Sequence, residues 1–281
     1  MNAIIEFEDV HKQFKEKKAL TDVNFSINKG EIFGLVGPTG VGKTTSIKLL
    51  TDQLKPSEGT IRVFGESVTG NHTQLLSKMG ILSDRSVLYE RLSLYDNLRF
   101  LASLYDRPVS TIEDILEHVG LASSRKTTYK HLSKGMKQRA NLAAALIHAP
   151  EILILDEPTA SLDPSAKANV HAFLRQLNEQ GSTIFLTSHD MNEIESLCHR
   201  VAFMIDGTIY LCGEPAQIRS TYAAPTVTVT FADGNVETFN NSYTGMTSLR
   251  NAIESRKVQS IHSDEPSLTD IFLDVTGRKF A

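Results

Sequence analysis

Two hydrophobic rhythms alternate along the chain. From Ile4 to Ile27, apolar and polar positions alternate with a period near two, the pattern of half-buried strands. "EIFGLVG", Glu31 to Gly37, is a short unbroken apolar run that ends in glycine and leads into the helix-forming "TSIKLLTDQL", which predicts strand, loop and helix in that order. "PSEGTIRVFG" follows, with turn residues beside β-branched ones. From about Ser86 to Lys130 the pattern is mainly helical. Ser93 with Asp96, and Ser110 with Glu113, each place a hydroxyl three residues ahead of a carboxylate, an arrangement that satisfies the first orphan N–H groups of a helix. The second of these helices is predicted to end at Gly120.

Further on, "EILILDEP", "STIFLTSHD" and "VAFMIDGTIYLCG" read as strands, and the alanine- and leucine-rich Met136 to His148 as a helix. Strands alternating with helices predict a mostly parallel sheet, hence an α/β fold. Past Pro225 the pattern becomes antiparallel: "TVTVTF" and "NVETF" flank a turn at Asp233-Gly234. A last helix, capped by Ser267 with Asp270 three residues on, is predicted to end at Gly277. This divides the chain into a main domain over residues 1–217 and an accessory domain over 218–281.

Composition narrows the classes. The 281 residues are 41% hydrophobic and 22% charged, ordinary values for a packed globular protein. A net charge of −4 gives no basic footprint for nucleic acid, so no nucleic-acid partner is expected. Cys198 and Cys212 have neither metal-ligand spacing nor a disulfide framework around them. Glu6, Glu8 and Asp9 interrupt the opening residues where a signal peptide needs a longer apolar run. No apolar segment reaches the roughly 18 residues that span a bilayer, so contact with a membrane is expected only through a partner.

The candidate chemistry begins at "GPTGVGKTT", Gly37, Pro38, Thr39, Gly40, Val41, Gly42, Lys43, Thr44 and Thr45. Gly37, Gly42, Lys43 and Thr44 meet the G-x-x-x-x-G-K-[ST] pattern. Glycines let backbone N–H groups approach a phosphate, the lysine brings charge to the β- and γ-phosphates, and the threonine hydroxyl can ligate Mg²⁺. The buried strand "ILILDE" then delivers Asp156 and Glu157 to the sheet's C-terminal edge, where α/β folds bind ligands. Asp156 is expected to hold Mg²⁺, and Glu157 to deprotonate an attacking water. Up to this point a small-molecule phosphotransferase remains an alternative.

Between these motifs stands "LSKGMKQR", Leu132 to Arg139, and with it the chain resembles the ATP-binding subunit of an ATP-binding cassette (ABC) transporter over about residues 4 to 215. The resemblance implies a P-loop NTPase core of ABC type, with an inserted helical subdomain at about 86–140 and a small α+β C-terminal appendage. It implies ATP and Mg²⁺ as cofactors, a head-to-tail dimer with a second copy, and a separate polytopic permease that places the chain at the cytoplasmic face of the membrane. Ser133, read as an N-cap ahead of a strong helix, and Gly135 would form an anion site for the ATP of the other protomer. Asp163 in "SLD" resembles the loop that passes between protomers, His189 in "TSHD" the switch histidine at the γ-phosphate, and Phe14 the aromatic that stacks on adenine. Lys134 and Met136 depart from the family's LSGGQ. Asp84 stands where the family has a glutamine that senses Mg²⁺ and the attacking water; an ionised carboxylate, unlike an amide, cannot donate. The segment "LYERLSLYDNL" and the tail "EPSLTDIFLDVTGR" resemble the bacitracin, lantibiotic and drug-resistance branch, which implies export. An ABC-type mechanical ATPase acting on ribosomes or DNA is the alternative, and a cassette that binds ATP without hydrolysing it a further one.

Overall fold

The computed structural model describes residues 3–70, 72–83, 86–224, 226–263 and 265–277. Asp84 therefore lies outside the described residues. Contacts divide the chain into two units, 3–213 and 214–277 among the described residues.

The first unit opens with β1 (Ala3–Phe14) and β2 (Lys17–Asn28), an antiparallel pair that continues through β4 (Glu58–Val63) and β5 (Glu66–Ser67) in the order β2-β1-β4-β5. The period-two pattern has its expected cause: Ile5, Phe7, Val23, Phe25 and Ile27 are buried on one face. Phe7 stacks on Phe25 and Phe25 on Phe33, with ring centroids 4.3 and 5.3 Å apart. That stack joins this sheet to the second one.

The second sheet runs β10 (Thr208–Gly213), β9 (Arg200–Ile205), β3 (Ile32–Val36), β8 (Thr183–Ser188), β7 (Ile152–Asp156), β6 (Met79–Leu82). All neighbours are parallel except β10, which returns on β9 as a hairpin. Because β3 and β7 are covered on both faces, Ile32–Val36 and Ile152–Leu155 read as unbroken apolar runs rather than alternating ones, while β8 is equally buried but carries Thr183, Thr187 and Ser188. Around this sheet lie α1 (Lys43–Leu50), α2 (His72–Leu76), α3 (Leu94–Leu104), α4 (Ser110–His118), α5 (Lys134–Leu146), α6 (Pro164–Glu179) and α7 (Met191–Leu197).

Four helix boundaries show what capping residues decide. Ser93 caps α3 as expected, accepting from the Asp96 N–H at 3.0 Å. Ser110 does not cap α4: the cap is Val109 and Ser110 is the first helical residue, so the capping box expected there is absent. The turn is already started by Pro108, whose carbonyl accepts from Thr111, and Glu113 pairs with Arg125 at 2.7 Å. Gly120 adopts the left-handed conformation just past α4, as read. Helix α1 stops at Leu50, short of Leu54, because Asp52 turns to a positive φ of 51°.

In the second unit, α8 (Pro215–Tyr222) precedes β11 (Thr226–Phe231) and β12 (Val236–Asn240), the hairpin read around Gly234. Helix α9 (Tyr243–Ser255) and β13 (Val258–Ser263) complete a small sheet of order β12-β11-β13, and α10 (Leu268–Thr276) carries the full Ser267–Asp270 capping box and ends at Gly277. Val229, Phe231, Leu249 and Ala252 form its own core.

His148, just past α5, bonds through Nε2 to the Met79 carbonyl at 3.0 Å and stacks on Tyr105, while its buried Nδ1 finds no hydrogen-bond partner among the described residues. Burial lowers its pKa, with the Arg107 charge assisting and the Met79 bond opposing. A depressed folded-state pKa means the unfolded chain binds the extra proton first, so this group's contribution is present above the usual value of 6.5 and lost as pH falls through the folded value. The melting temperature of the wild type should therefore fall more than that of His148→Gln between about pH 7.5 and about pH 5.5.

Candidate active site

Three adjacent parallel strands end at one edge and bring the site together. The loop after β3 carries Gly37 to Thr45, β7 ends in Asp156 and continues to Glu157, and β8 ends in Ser188 before His189. Register does the fine placement: Asp156 lies beside Thr187 across β7 and β8, and Val36 beside Ser188 across β3 and β8. A cavity of about 500 Å³ opens there, lined among others by Gly40, Lys43, Thr44, Glu157 and His189.

The loop is held from within. Lys43 is buried at the start of α1 and its ammonium donates to the Gly37 carbonyl at 2.6 Å and to the Pro38 carbonyl at 3.1 Å. The same ammonium stands 3.6 Å from Glu157 Oε1. Burial pushes its pKa below the usual lysine value, against the opposing charges of Glu157 and Asp156. Gly42 has φ 120°, and a Cβ there would meet Leu20 Cδ2 at 2.6 Å and the Ala19 carbonyl at 2.9 Å, so the position requires glycine on two counts.

Asp156 is fixed through both oxygens: Thr44 Oγ1 donates to Oδ2 at 2.9 Å and Thr187 Oγ1 to Oδ1 at 2.6 Å. Thr44 and Asp156 thus present only oxygen donors side by side, the donor set a hard divalent cation takes. Glu157 adopts φ 51°, a left-handed backbone that costs a non-glycine residue on the order of 1–3 kcal/mol. Its N–H donates to Thr187 Oγ1 at 3.2 Å, and its carbonyl accepts from Gln138 Nε2 at 3.1 Å. Those bonds hold the strained residue in place. Its Oε2 lies 2.5 Å from His189 Nδ1.

The structure therefore gathers Thr39, Gly40, Gly42, Lys43, Thr44, Thr45, Asp156, Glu157 and His189 around one cavity. Gly37, Pro38 and Val41 belong to the same loop without lining it; Val41 packs into the core. Ser133, Gly135, Asp163 and Phe14 are not part of that lining. Ser133 caps α5, accepting from the Met136 N–H at 3.3 Å. Asp163 caps α6 through Ala166, and that N–H bond lowers its pKa. Phe14 is 42% exposed, with the Lys12 ammonium 5.0 Å from its ring centroid. Ser161, the first residue of the "SLD" loop, lines the cavity, as do Gln138, Ser83 and Ala160, which are not among the expected site residues, and Thr187 braces it. Gln138 was within sight, three residues past Gly135 in the same motif; for Thr187 only the strand register carries the signal.

A family profile described as ABC transporter matches residues 20–160. The chain is 36% identical over 266 residues to a fluoroquinolones export ATP-binding protein of Mycobacterium tuberculosis, covering 93% of this chain and 88% of that protein. It is 39% identical over 209 residues to the bacitracin transport ATP-binding protein BcrA of Enterococcus faecalis, covering 74% and 68%. Among solved structures, an ATP-binding subunit of an ABC transporter aligns with a TM-score of 0.72 at 27% identity over 78% of this chain and 93% of that one. A dimeric bacterial ABC transporter cassette aligns at 0.70 with 25% identity, over 75% and 98%.

Proposed function

The chain belongs to the ABC transporter family, as an ATP-hydrolysing subunit, and on that premise we propose that it closes head to tail on a second copy around two ATP molecules and drives a separate membrane permease that exports a drug or peptide antibiotic. The observation that carries the reading is the single cavity where Lys43, Asp156, Glu157 and His189 meet at the ends of three parallel strands. The named cargoes of the relatives, fluoroquinolones and bacitracin, motivate the substrate class.

In this reading the N–H groups of Gly37 to Thr45 and the N-terminus of α1 cradle the phosphates, and Lys43 turns its ammonium from the loop carbonyls to the β- and γ-oxygens. Thr44 and Asp156 would hold Mg²⁺, which when bound supplies positive charge to the phosphate oxygens. Glu157 accepts the proton of the attacking water, and His189 keeps that carboxylate aimed while reaching the γ-phosphate. Phe14 offers a face to adenine. Ser133 and Gly135 come from the other protomer, with Asp163 in the loop between the two. Residues 1–217 form the cassette in this reading, and 218–281 an accessory domain. Among the described residues no helix is long and apolar enough to cross a membrane, so translocation falls to the partner. A peripheral place at the cytoplasmic face follows from the same assignment.

The permease contact is placed on the segment around α3. Val87, Tyr89 and Leu104 are 64%, 57% and 61% exposed, and Tyr89 meets Phe100 edge-on with centroids 5.7 Å apart. An exposed apolar cluster of this kind marks a docking surface. Tyr89→Asp should lower the amount of membrane protein that co-purifies with the tagged chain at least about fivefold, while basal ATP turnover stays unchanged. Unchanged recovery would remove the contact from this surface.

A further inference from the structure

Behind the cavity lies a second polar cluster, centred on Glu193 of α7, which is only 3% exposed. Its Oε1 accepts from Thr159 Oγ1 at 2.6 Å and stands 2.8 Å from His171 Nε2 of α6; its Oε2 accepts from Ser188 Oγ at 2.6 Å. The three partners come from different segments, and two of these belong to the site. Ser188 is the last residue of β8 and precedes His189. Thr159 lies two residues past Glu157, in the turn closed by Ala160 N–H to the Glu157 carbonyl and Leu162 N–H to the Thr159 carbonyl. That turn runs on into Ser161 and Asp163.

We propose that Glu193 is a positioning residue for ATP hydrolysis: through Ser188 and Thr159 it locks the His189 segment and the Glu157–Asp163 turn to each other, so that the attacking-water pair and the loop facing the second protomer move as one body. The inference rests on the roles given above to Glu157, His189 and Asp163.

Packing alone does not call for a carboxylate here. Burying an ionised group is unfavourable unless donors surround it, and apolar side chains of similar volume often hold two helices and a strand together as well or better. A carboxylate differs from a leucine in direction. It fixes three donors at defined angles: Ser188 is the backbone neighbour of His189, and Thr159 lies two residues past Glu157. The donors also suffice to keep it charged: burial opposes ionisation, but the bonds from His171, Ser188 and Thr159 together with the Lys167 charge hold its carboxyl below the ordinary value. Lys167 ties the same region from α6 by pairing with Asp190, the cap of α7. Displacements of about 1 Å at a reacting group reduce rates up to about 100-fold, so slack in this bracket is visible in turnover.

Thr159, His171 and Ser188, the hydrogen-bond partners of Glu193 among the described residues, all lie outside the phosphate loop, and this separates positioning from general damage. In the full chain, Glu193→Ala should lower kcat about 10- to 100-fold with KM for ATP within about twofold. Glu193→Gln keeps an acceptor for Thr159 and His171 and offers its amide to Ser188, and should restore kcat to within about threefold of wild type. Thr159→Val removes one hydroxyl at nearly constant shape, should lower kcat about 10-fold, and keeps the test open if Glu193→Ala does not fold. Wild-type kcat in Thr159→Val, or a loss in Glu193→Gln equal to that of a folded Glu193→Ala, would overturn the proposal. Glu157→Gln run in parallel tells the two readings apart. If it turns over normally, the roles assigned to the cavity fail; if it is inactive while the Thr159 variant is normal, only the bracket fails.

Discussion

Glu157→Gln is expected to lower ATP turnover about 100- to 10,000-fold, the range a positioned general base contributes, while ATP still binds. The expectation comes from how little else the substitution changes. Glutamine keeps the length of the side chain and an oxygen that can accept from His189 Nδ1, 2.5 Å away in the wild type. It keeps the φ of 51°, since the Gln138 and Thr187 bonds that hold that backbone do not involve the side chain. What it loses is the capacity to accept a proton from water. The amide also removes the negative charge 3.6 Å from the Lys43 ammonium, which leaves that cation freer for phosphate. Binding should therefore hold or tighten, and light scattering of the variant with ATP should give twice the mass of the 31.1 kDa chain, reverting to one chain without nucleotide. Turnover within threefold of wild type would sink the role given to Glu157.

Lys43→Ala should act at the preceding step, by weakening ATP binding about 10- to 100-fold, as the loss of one charge-assisted hydrogen bond of about 1.5–3 kcal/mol implies. The ammonium is buried, held below its usual pKa by that burial, and bonded among the described residues to the Gly37 and Pro38 carbonyls, with Glu157 nearby. Much of its desolvation has thus taken place before a phosphate arrives, so less water has to be stripped on binding. Titration with a fluorescent ATP analogue checks this directly. Equal affinity in wild type and Lys43→Ala would mean that the loop binds phosphate through its backbone alone. The two variants differ in kind: one removes binding, the other leaves a bound and closed state that does not react.

Much of this site was legible before any coordinates, and the reason is local. A phosphate loop is a contiguous stretch whose glycines and lysine are set by backbone geometry, so Gly42 and Lys43 announce themselves. The apolar run before Asp156 and Glu157 is likewise local, because a strand covered on both faces favours apolar side chains at every position. Less was readable where a partner distant in sequence decides the outcome. Thr187 braces Asp156 only because β7 and β8 pair in one register. Gln138 reaches Glu157 from a helix 19 residues earlier in sequence. The start of helix α6 is hidden in the sequence because Asp163, its cap, also resembles the loop that passes between protomers, and both uses need the same side chain at the same turn. The Ser110 cap was misread for the opposite reason, a local signal overridden by another local one, since Pro108 starts the turn a residue early. Glu193 carried no signal at all, as a single glutamate after "TSHDMN" looks like any solvent-facing helix residue until its burial is seen.

The measurement that bears most directly on the central claim is affinity capture of the tagged full chain from native membranes in mild detergent, with its companions identified by mass spectrometry. One polytopic membrane protein should be recovered in near-stoichiometric amount, its association changing when ATP is added to the Glu157→Gln form. Recovery of ribosomal proteins or DNA-associated factors in place of any membrane protein would contradict that claim.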